Sequence, residues 1–184
     1  MKTDKKKIIL GVTGGIAAYK SADLCSKLTA AGYDVHVIMT ASAQQLITQR
    51  CFLTLSRNPV ICSLWDVPDW KPEHIELSES ADLCVVAPCT ANFIGKYTHG
   101  IADDALTTAA LAFTGIMLLA PAMNCRMWKS PAVQENCAIL RKRGVHFIGP
   151  EKGRLACGDD DVGRMSEVPD IVAKIQKLLS GKSV

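Results

Sequence analysis

The stretch that decides the fold is KIILGVTGGIAAYK, residues 7–20, in which an apolar run meets a glycine pair and then a helix-forming segment. The apolar run Lys7–Val12 predicts a buried β-strand, and residues 16–31 have the apolar spacing of an amphipathic helix. Gly32 follows directly, where a helix commonly ends. A strand, a tight turn and a helix in this order are typical of the opening unit of an α/β fold.

Four further runs repeat the strand pattern along the chain. They are DVHVIM (34–39), DLCVVA (82–87), GIMLLA (115–120) and GVHFIG (144–149). Helical patterns cover about 41–56, 90–98, 103–113, 130–143 and 168–180. Near-continuous apolar runs indicate strands that are buried on both faces. The alternation predicts a doubly wound, Rossmann-like (flavodoxin-like) parallel sheet with helices on both faces, in a single domain, 1–184.

Two segments show neither the helical nor the strand period. RNPVICSLWDVPDWKPE (57–73) has three prolines and two tryptophans, and we expect it to be irregular. PEKGRLACGDDDVGRMS (150–166) is polar and glycine-rich. A loop of that length in a compact domain is usually functional or disordered.

Composition excludes several classes of protein. Of the 184 residues, 48% are apolar and 21% are charged, which is typical of a globular chain, and the net charge is only +3. Without a basic stripe interleaved with aromatic residues, a nucleic-acid partner is not expected. No apolar run reaches the roughly 18–20 residues of a membrane span, so a membrane partner is not expected either.

The chain has eight cysteines and no C-x-x-C pair. Because Thr13, Gly14 and Gly15 cut the first apolar run short, we expect no secretion signal, and eight thiols then favour a reducing, cytoplasmic compartment. Neither a zinc ribbon nor another metal site is predicted. Most of these thiols, Cys25 and Cys84 among them, are expected to act as small buried apolar groups.

The glycine turn after the first strand is suited to an anion. Gly14 and Gly15 expose backbone N–H groups at the start of a helix, whose dipole favours negative charge. Close packing of the strand on the helix is the alternative explanation. The turn lacks the G-x-G-x-x-G of a dinucleotide site, and Thr40 and Ser42 stand where a ribose-binding carboxylate would be expected. A mononucleotide phosphate is therefore predicted between the two glycines and the two hydroxyls.

Polar residues also follow the third apolar run. Pro88 is expected to end that strand, and Thr90 or Asn92 to cap the next helix, or to face the crevice, or both. Asp103 and Asp104 are expected to be N-terminal acids of a further helix.

Asn124 follows the fourth apolar run, within PAMNCRMW (121–128). Its amide can bind a carboxylate or an amide without a change of charge. Met123, Met127 and Trp128 either line the same crevice or fill gaps in the core. His74 lies at a loop–helix junction, where a base can face a cleft.

Four ordered segments together resemble one protein family. They are GVTGGIAAYK (11–20), HIELSESADLCVVAPCTANFIGKYTHGIADDALTT (74–108), APAMNCRMW (120–128) and RLACGDDDVGRM (154–165). The chain resembles the flavin-containing cysteine decarboxylases, whose P-x-M-N-x-x-M-W signature it matches at every fixed position. The resemblance implies bound FMN. It also implies a homo-oligomer, either a trimer or a dodecamer assembled from trimers, with the active site between subunits.

The resemblance assigns roles to individual residues. His74 is implied as the base or as the residue that orients the substrate, and Cys157 as the final proton donor. Asn124 is implied to hold the substrate carboxylate, with Ala156 and Met165 beside the substrate. The positions implied for FMN are Gly14, Gly15, Ile16, Thr40, Ser42, Thr90, Ala91, Asn92, Phe93, Ala122 and Met123.

The implied reaction is the decarboxylation of 4'-phospho-N-pantothenoylcysteine to 4'-phosphopantetheine in coenzyme A biosynthesis, with transient oxidation of the cysteine moiety by FMN. Two alternatives are a peptidyl-cysteine decarboxylase that yields an enethiol and a non-catalytic flavin-binding regulatory subunit. Many family members are fused to the synthetase that makes the substrate, so a separate synthetase is a candidate partner. The chain is then either free-standing or one domain of such a fusion.

Overall fold

The computed structural model describes residues 5–65, 73–154, 158 and 160–181, with the backbone alone for 73–76. The strands are β1 (Lys7–Val12), β2 (Asp34–Met39), β3 (Val60–Ile61), β4 (Leu83–Cys89), β5 (Ile116–Pro121), β6 (His146–Phe147), β7 (Glu151–Arg154) and β8 (Asp160–Arg164). The helices are α1 (Ala18–Ala30), α2 (Ala41–Gln44), α3 (Gln49–Ser56), α4 (Glu73–Ser80), α5 (Ala91–His99), α6 (Ala105–Ala112), α7 (Cys125–Trp128), α8 (Pro131–Lys142) and α9 (Val168–Leu179). None of these helices, within the ranges described, has the length and apolar character of a membrane span.

Within the described residues, β1 to β6 form one parallel sheet in the order β3-β2-β1-β4-β5-β6. The chain runs outward from β1 to one edge and from β4 to the other, so the order reverses between these two strands. They pair from Ile8 opposite Leu83 to Gly11 opposite Val86. In an open α/β sheet the ligand crevice lies beyond the carboxyl ends of the strands at this reversal. The predicted doubly wound fold class is confirmed.

Alternate residues of the strands pack on opposite faces of the sheet. Leu10 and Val85 enter a core shared with α1, α3 and α9, whereas Ile9 and Val86 enter a core shared with α5, α6 and α8. All four side chains are fully buried. Burial of one aliphatic side chain stabilises the folded state by about 1.5–3 kcal/mol. Apolar residues at both odd and even positions of the strands therefore hold helices on both faces of the sheet.

The prediction that Pro88 ends its strand is wrong, because β4 continues through it to Cys89. Proline cannot donate a ladder hydrogen bond, and it is tolerated where pairing is irregular. The pairing of β4 with β5 shifts between Val86 and Cys89, which is where Pro88 lies. The carbonyl group of Pro88 therefore lies within the strand, near the carboxyl end of β4.

The single helix predicted for 41–56 is two helices, α2 and α3. Thr48 lies between them with an extended backbone (φ −81°, ψ 145°), and a β-branched residue favours that conformation. Further along, Val60–Ile61 pairs with β2 as an edge strand, although the sequence predicts an irregular segment there. Residues 66–72 of that segment lie outside the described residues. The strand predicted for 144–149 is shorter, since β6 is only His146–Phe147.

The glycine-rich segment 150–166 contains an antiparallel two-stranded sheet, whereas the sequence predicts a loop. β7 pairs with β8 from Glu151 opposite Arg164 to Arg154 opposite Asp160. Charged and glycine residues dominate both strands, so no apolar alternation reveals them in the sequence. We call this element the hairpin. Its connection, 155–157 and 159, lies outside the described residues.

Most of the described cysteines are buried. The buried ones are Cys25, Cys84, Cys89, Cys125 and Cys137, while Cys51 and Cys62 are half-buried. Burial raises the pKa of Cys25 to about 11 and that of Cys84 to about 12. Such thiols stay protonated and unreactive at neutral pH. The prediction that Cys25 and Cys84 act as small apolar groups is confirmed.

Two buried hydroxyls tie the ends of the central strands together. Thr13, directly after β1, donates to the carbonyl oxygen of Pro88 at 2.7 Å and accepts from the N–H of Thr90 at 3.2 Å. Ser21 of α1 donates to the carbonyl oxygen of Ala87 at 2.6 Å. These bonds join the two sides of the strand-order reversal, so they hold the floor of the crevice at a set width.

Replacing Thr13 with valine tests this link, because valine keeps the shape of the side chain and removes the hydroxyl. The Pro88 carbonyl and the Thr90 N–H then lose a buried partner, so we expect the free energy of unfolding to fall by about 1–3 kcal/mol. Urea denaturation measures the change. The matched variant Thr13→Ser retains the hydroxyl and should lose clearly less stability. Equal losses in the two variants would contradict the role of the hydroxyl.

Candidate active site

A cleft of about 1200 Å³ opens beyond the carboxyl ends of β1, β2, β4 and β5. Its walls are the turn before α1, the starts of α2 and α5, the segment after β5, and the hairpin. The predicted site residues that line it are Gly14, Gly15, Ile16, Thr40, Ser42, Thr90, Ala91, Asn92, Phe93, Ala122, Met123, Asn124 and Met165. Ligand pockets commonly measure about 300–1,000 Å³, so this cleft has room for a cofactor and a small substrate together.

The turn before α1 lies directly against the start of α2. A methyl group on Gly14 would come within 2.3 Å of the Ser42 Cβ, whereas one on Gly15 would have no neighbour closer than 3.6 Å. Only glycine at position 14 therefore allows the two loops to approach this closely. α1 begins at Ala18 with no side-chain cap and no acidic residue in its first turn. Its positive dipole end is consequently suited to an anionic ligand.

Thr40 and Thr90 are helix caps as well as cleft residues. Thr40 accepts from the N–H of Ala43 at 3.2 Å, and Thr90 accepts from the N–H of Phe93 at 3.4 Å. The capping role predicted for Thr90 is confirmed. Because a hydroxyl can accept and donate at once, each threonine can still donate to a ligand.

Phe93 supports the wall of the cleft from behind. It is only 2% exposed, and its ring stacks on that of Tyr97 with 5.8 Å between centroids. Ala91 and Asn92 are more exposed at the start of the same helix. A ligand at this wall therefore meets Ala91 and Asn92 more than the buried ring.

Asn124 lies on the opposite wall, directly before α7. Its Oδ1 accepts from the N–H of Arg126 at 2.8 Å, which orients the side chain at the helix start. The neighbouring N–H of Met123 donates to the carbonyl oxygen of Gly163 at 3.0 Å. The segment that carries Asn124 is thus joined to the hairpin.

The three large apolar residues of this segment differ in their surroundings. Met127 is 49% exposed and lines the cleft. Trp128 packs against the core instead, and Met123 both packs there and lines the cleft. Of the two predicted positions, Trp128 therefore fills the core, and both methionines line the cleft.

Charged residues of the cleft were not identified from the sequence. On the hairpin side, Lys20 lies 3.0 Å from one carboxylate oxygen of Glu167, and Arg164 lies 3.2 Å from the other. The hydrogen bond from Lys20 lowers the pKa of Glu167, so this carboxylate is ionised at neutral pH. Arg154 lines the same side. The one signal available in the sequence was the position of Lys20, one turn after the glycine pair.

At the other end of the cleft, Lys96 pairs with Asp103. Its Nζ lies 2.7 Å and 2.8 Å from the two carboxylate oxygens, and this bond lowers the pKa of Asp103. Asp104 caps α6 and accepts from the N–H of Thr107 at 2.8 Å in a capping box. The predicted helix-start role is therefore confirmed for Asp104, while Asp103 serves an ion pair.

The described side chains do not extend to three predicted site residues. His74 lies in the first turn of α4, of which only the backbone is described at that position. Ala156 and Cys157 lie between β7 and β8, outside the described residues. Their roles stay predictions. Elsewhere in the described chain, no group of three His, Cys, Asp or Glu side chains is arranged to hold a metal ion.

Comparisons with known proteins place the chain among flavoproteins. A family model described as "Flavoprotein" matches residues 1–180. A "Probable phosphopantothenoylcysteine decarboxylase" from Streptococcus mutans is 42% identical over 177 residues, which cover 95% of this chain and 99% of that protein. The "Coenzyme A biosynthesis bifunctional protein" of Vibrio vulnificus is 43% identical over 96% of this chain. The chain spans 44% of the length of that bifunctional relative.

Solved structures agree in fold. A PPC decarboxylase variant in complex with pantothenoylaminoethenethiol has a TM-score of 0.86 and 30% identity, covering 96% of this chain and all of that one. The FMN-binding protein AtHal3 has a TM-score of 0.83 and 28% identity, covering 98% of this chain and 100% of that one. The resemblance predicted from the four motifs is confirmed. Since the family model spans nearly the whole chain and a relative of the same length is 42% identical, this protein belongs to the Flavoprotein family, with phosphopantothenoylcysteine decarboxylases among its relatives.

Proposed function

We propose that this chain is an FMN-dependent carboxy-lyase that converts 4'-phospho-N-pantothenoylcysteine to 4'-phosphopantetheine, a step of coenzyme A biosynthesis. The observation that carries the proposal is the meeting of Gly14, Ser42 and Asn124 in one cleft. An anion-binding turn and a carboxylate-binding amide face the same space. The relative from Streptococcus mutans supports this substrate. A solved peptidyl-cysteine decarboxylase is 23% identical and supports the fold alone.

The residues of the cleft fit FMN. The contact between Gly14 and Ser42 makes a narrow cradle of backbone and hydroxyl groups, which suits a single phosphate. Thr40 follows β2 in place of the acidic residue of a dinucleotide site. Ala122 and Met123 offer apolar surface for a flat ring. When bound, FMN would supply a reversible hydride acceptor for the carbon that bears sulfur, which makes loss of carbon dioxide feasible.

The residues of the chain position the substrate and transfer protons. Asn124, oriented by the N–H of Arg126, holds the substrate carboxylate with its amide N–H. His74 takes the thiol proton or orients the thiol, and Cys157 donates a proton to carbon in the last step. The hairpin forms one side of the cleft and limits the access of water.

The assembly is also part of the proposal. We propose a single domain, 1–184, that forms a homo-oligomer, either a trimer or a dodecamer, in the cytoplasm. Ile16 and Tyr19 support it, because both are 66% exposed at the cleft and apolar surface there suits a covering subunit. The bifunctional relatives, more than twice as long as this chain, support a separate phosphopantothenoylcysteine synthetase as a partner.

The direct test is to purify the protein, load it with FMN and add phosphopantothenoylcysteine. We expect a yellow protein with a flavin spectrum, release of carbon dioxide and formation of 4'-phosphopantetheine by mass spectrometry. A peptide that ends in cysteine is the control for the peptidyl alternative and should not react. A protein that binds no FMN, or one that decarboxylates the peptide alone, would contradict the proposal.

The cofactor site is tested by Gly14→Ala, with Gly15→Ala as the matched control. The added methyl of the first variant meets Ser42 at 2.3 Å, while that of the second has ordinary contacts. Overpacking costs about 1–3 kcal/mol, so we expect the Kd for FMN to rise about tenfold or more in Gly14→Ala and to change little in Gly15→Ala. Quenching of flavin fluorescence measures both. Equal affinities would place the phosphate elsewhere.

The proton-donor role is tested by Cys157→Ser. A hydroxyl is a much weaker acid than a thiol, so we expect carbon dioxide release with accumulation of the unsaturated enethiol. Mass spectrometry separates this product from the saturated one, which is heavier by two hydrogens. Cys51→Ser, on α3 away from the cleft, is the control and should give saturated product. Normal saturated product from Cys157→Ser would remove Cys157 from the mechanism.

A further inference from the structure

The hairpin is joined to the segment that carries Asn124 at two neighbouring points of β8. The N–H of Met123 donates to the carbonyl oxygen of Gly163 at 3.0 Å. The Nζ of Lys129, directly after α7, lies 2.5 Å from Oδ2 of Asp161. One contact thus comes before α7 and the other after it, so β8 is held along the whole length of this short helix.

The carboxylate of Asp161 takes hydrogen bonds from three groups. Lys129 donates to Oδ2, and the N–H of Val162 donates to Oδ1 at 2.7 Å. The thiol of Cys125, which is buried in the first turn of α7, also bonds to this carboxylate. The bonds from Lys129 and Val162 lower the pKa of Asp161, so the carboxylate is ionised at neutral pH. It is therefore a junction between α7 and β8.

The position of this junction in the chain links two parts of the proposed site. Asp161 comes four residues after Cys157, and Cys125 directly follows Asn124. A displacement of β8 along α7 would move the hairpin side of the cleft, which Gly163 and Arg164 line, relative to Asn124. The proton transfer proposed for Cys157 requires the donor and the substrate carbon to lie close together. This last step is therefore sensitive to such a displacement.

We propose that Asp161 is a positioning residue that holds the hairpin in register with α7, and thereby sets the hairpin side of the cleft against the substrate bound at Asn124. The inference rests on the proposed function for the roles of Cys157 and Asn124. The junction itself rests on the contacts among Asp161, Lys129 and Cys125.

The effect of the junction should appear in the reaction products more than in stability. The side chain of Lys129 is 61% exposed and that of Asp161 is 31% exposed. An ion pair in contact with water contributes little to the free energy of unfolding. A pair that only stabilised the fold would not change the ratio of two products formed after carbon dioxide is lost. This ratio therefore separates a positioning role from a structural one.

The experiment compares Asp161→Asn, Lys129→Met and the charge-exchanged double variant Lys129→Asp/Asp161→Lys. Lys152→Met, at an exposed lysine of β7, is the matched control. The FMN-loaded proteins are given phosphopantothenoylcysteine, and the ratio of enethiol to saturated product is measured. We expect the ratio to rise about tenfold in both single variants, to return towards the parent value in the exchanged variant, and to be unchanged in the control.

Hydrogen exchange gives a second readout that needs no turnover. If the junction holds β8 on α7, the amide of Met123, which donates to Gly163, should exchange about tenfold faster in Asp161→Asn and Lys129→Met. Unchanged exchange together with an unchanged product ratio would overturn the inference. If the parent protein releases no carbon dioxide, the proposed function fails. The exchange rate of the Met123 amide in the two variants then still shows whether the junction holds β8 on α7.

Discussion

The reversal of strand order between β1 and β4 is the constraint on which the functional cleft depends. Neighbouring loops leave these strands in opposite directions, so the space beyond their carboxyl ends stays open. The buried hydroxyl of Thr13 bonds across the reversal to Pro88 and Thr90 and sets the distance between the two strand ends. Every wall of the cleft except the hairpin is attached to one of these ends or to a strand beside them.

The two sides of the cleft are built by different means. On the proposed cofactor side, hydroxyl and carboxylate caps at Thr40, Thr90 and Asp104 satisfy helix starts, and Gly14 packs against Ser42. Such short contacts to backbone leave little freedom. The hairpin side depends on charged pairs of longer side chains, which water can reach. A rigid cofactor site beside a substrate wall that depends on ion pairs suits a site that binds one group permanently and releases another.

Much of the fold could be predicted because β1 and β2 are apolar at most positions. Such runs are typical of strands that are buried on both faces of a sheet. Both strands match their predicted bounds, Lys7–Val12 and Asp34–Met39. The hairpin could not be found this way, because polar strands carry no apolar period. The prediction that Pro88 ends its strand is wrong for a related reason. The local rule that proline breaks strands cannot anticipate that the pairing of β4 with β5 is irregular at that point.

The sequence by itself determined the fold class, the chemical groups offered at each strand end, and the family. Thirteen of the sixteen predicted site residues line one cleft, since the carboxyl ends of parallel strands share an edge of the sheet. Only the tertiary structure decided which of these groups touch. Thr13 bonds to Pro88 across 75 positions, and Lys129 to Asp161 across 32. Contacts over such separations depend on how the sheet and hairpin pack, and no periodicity along the chain records them.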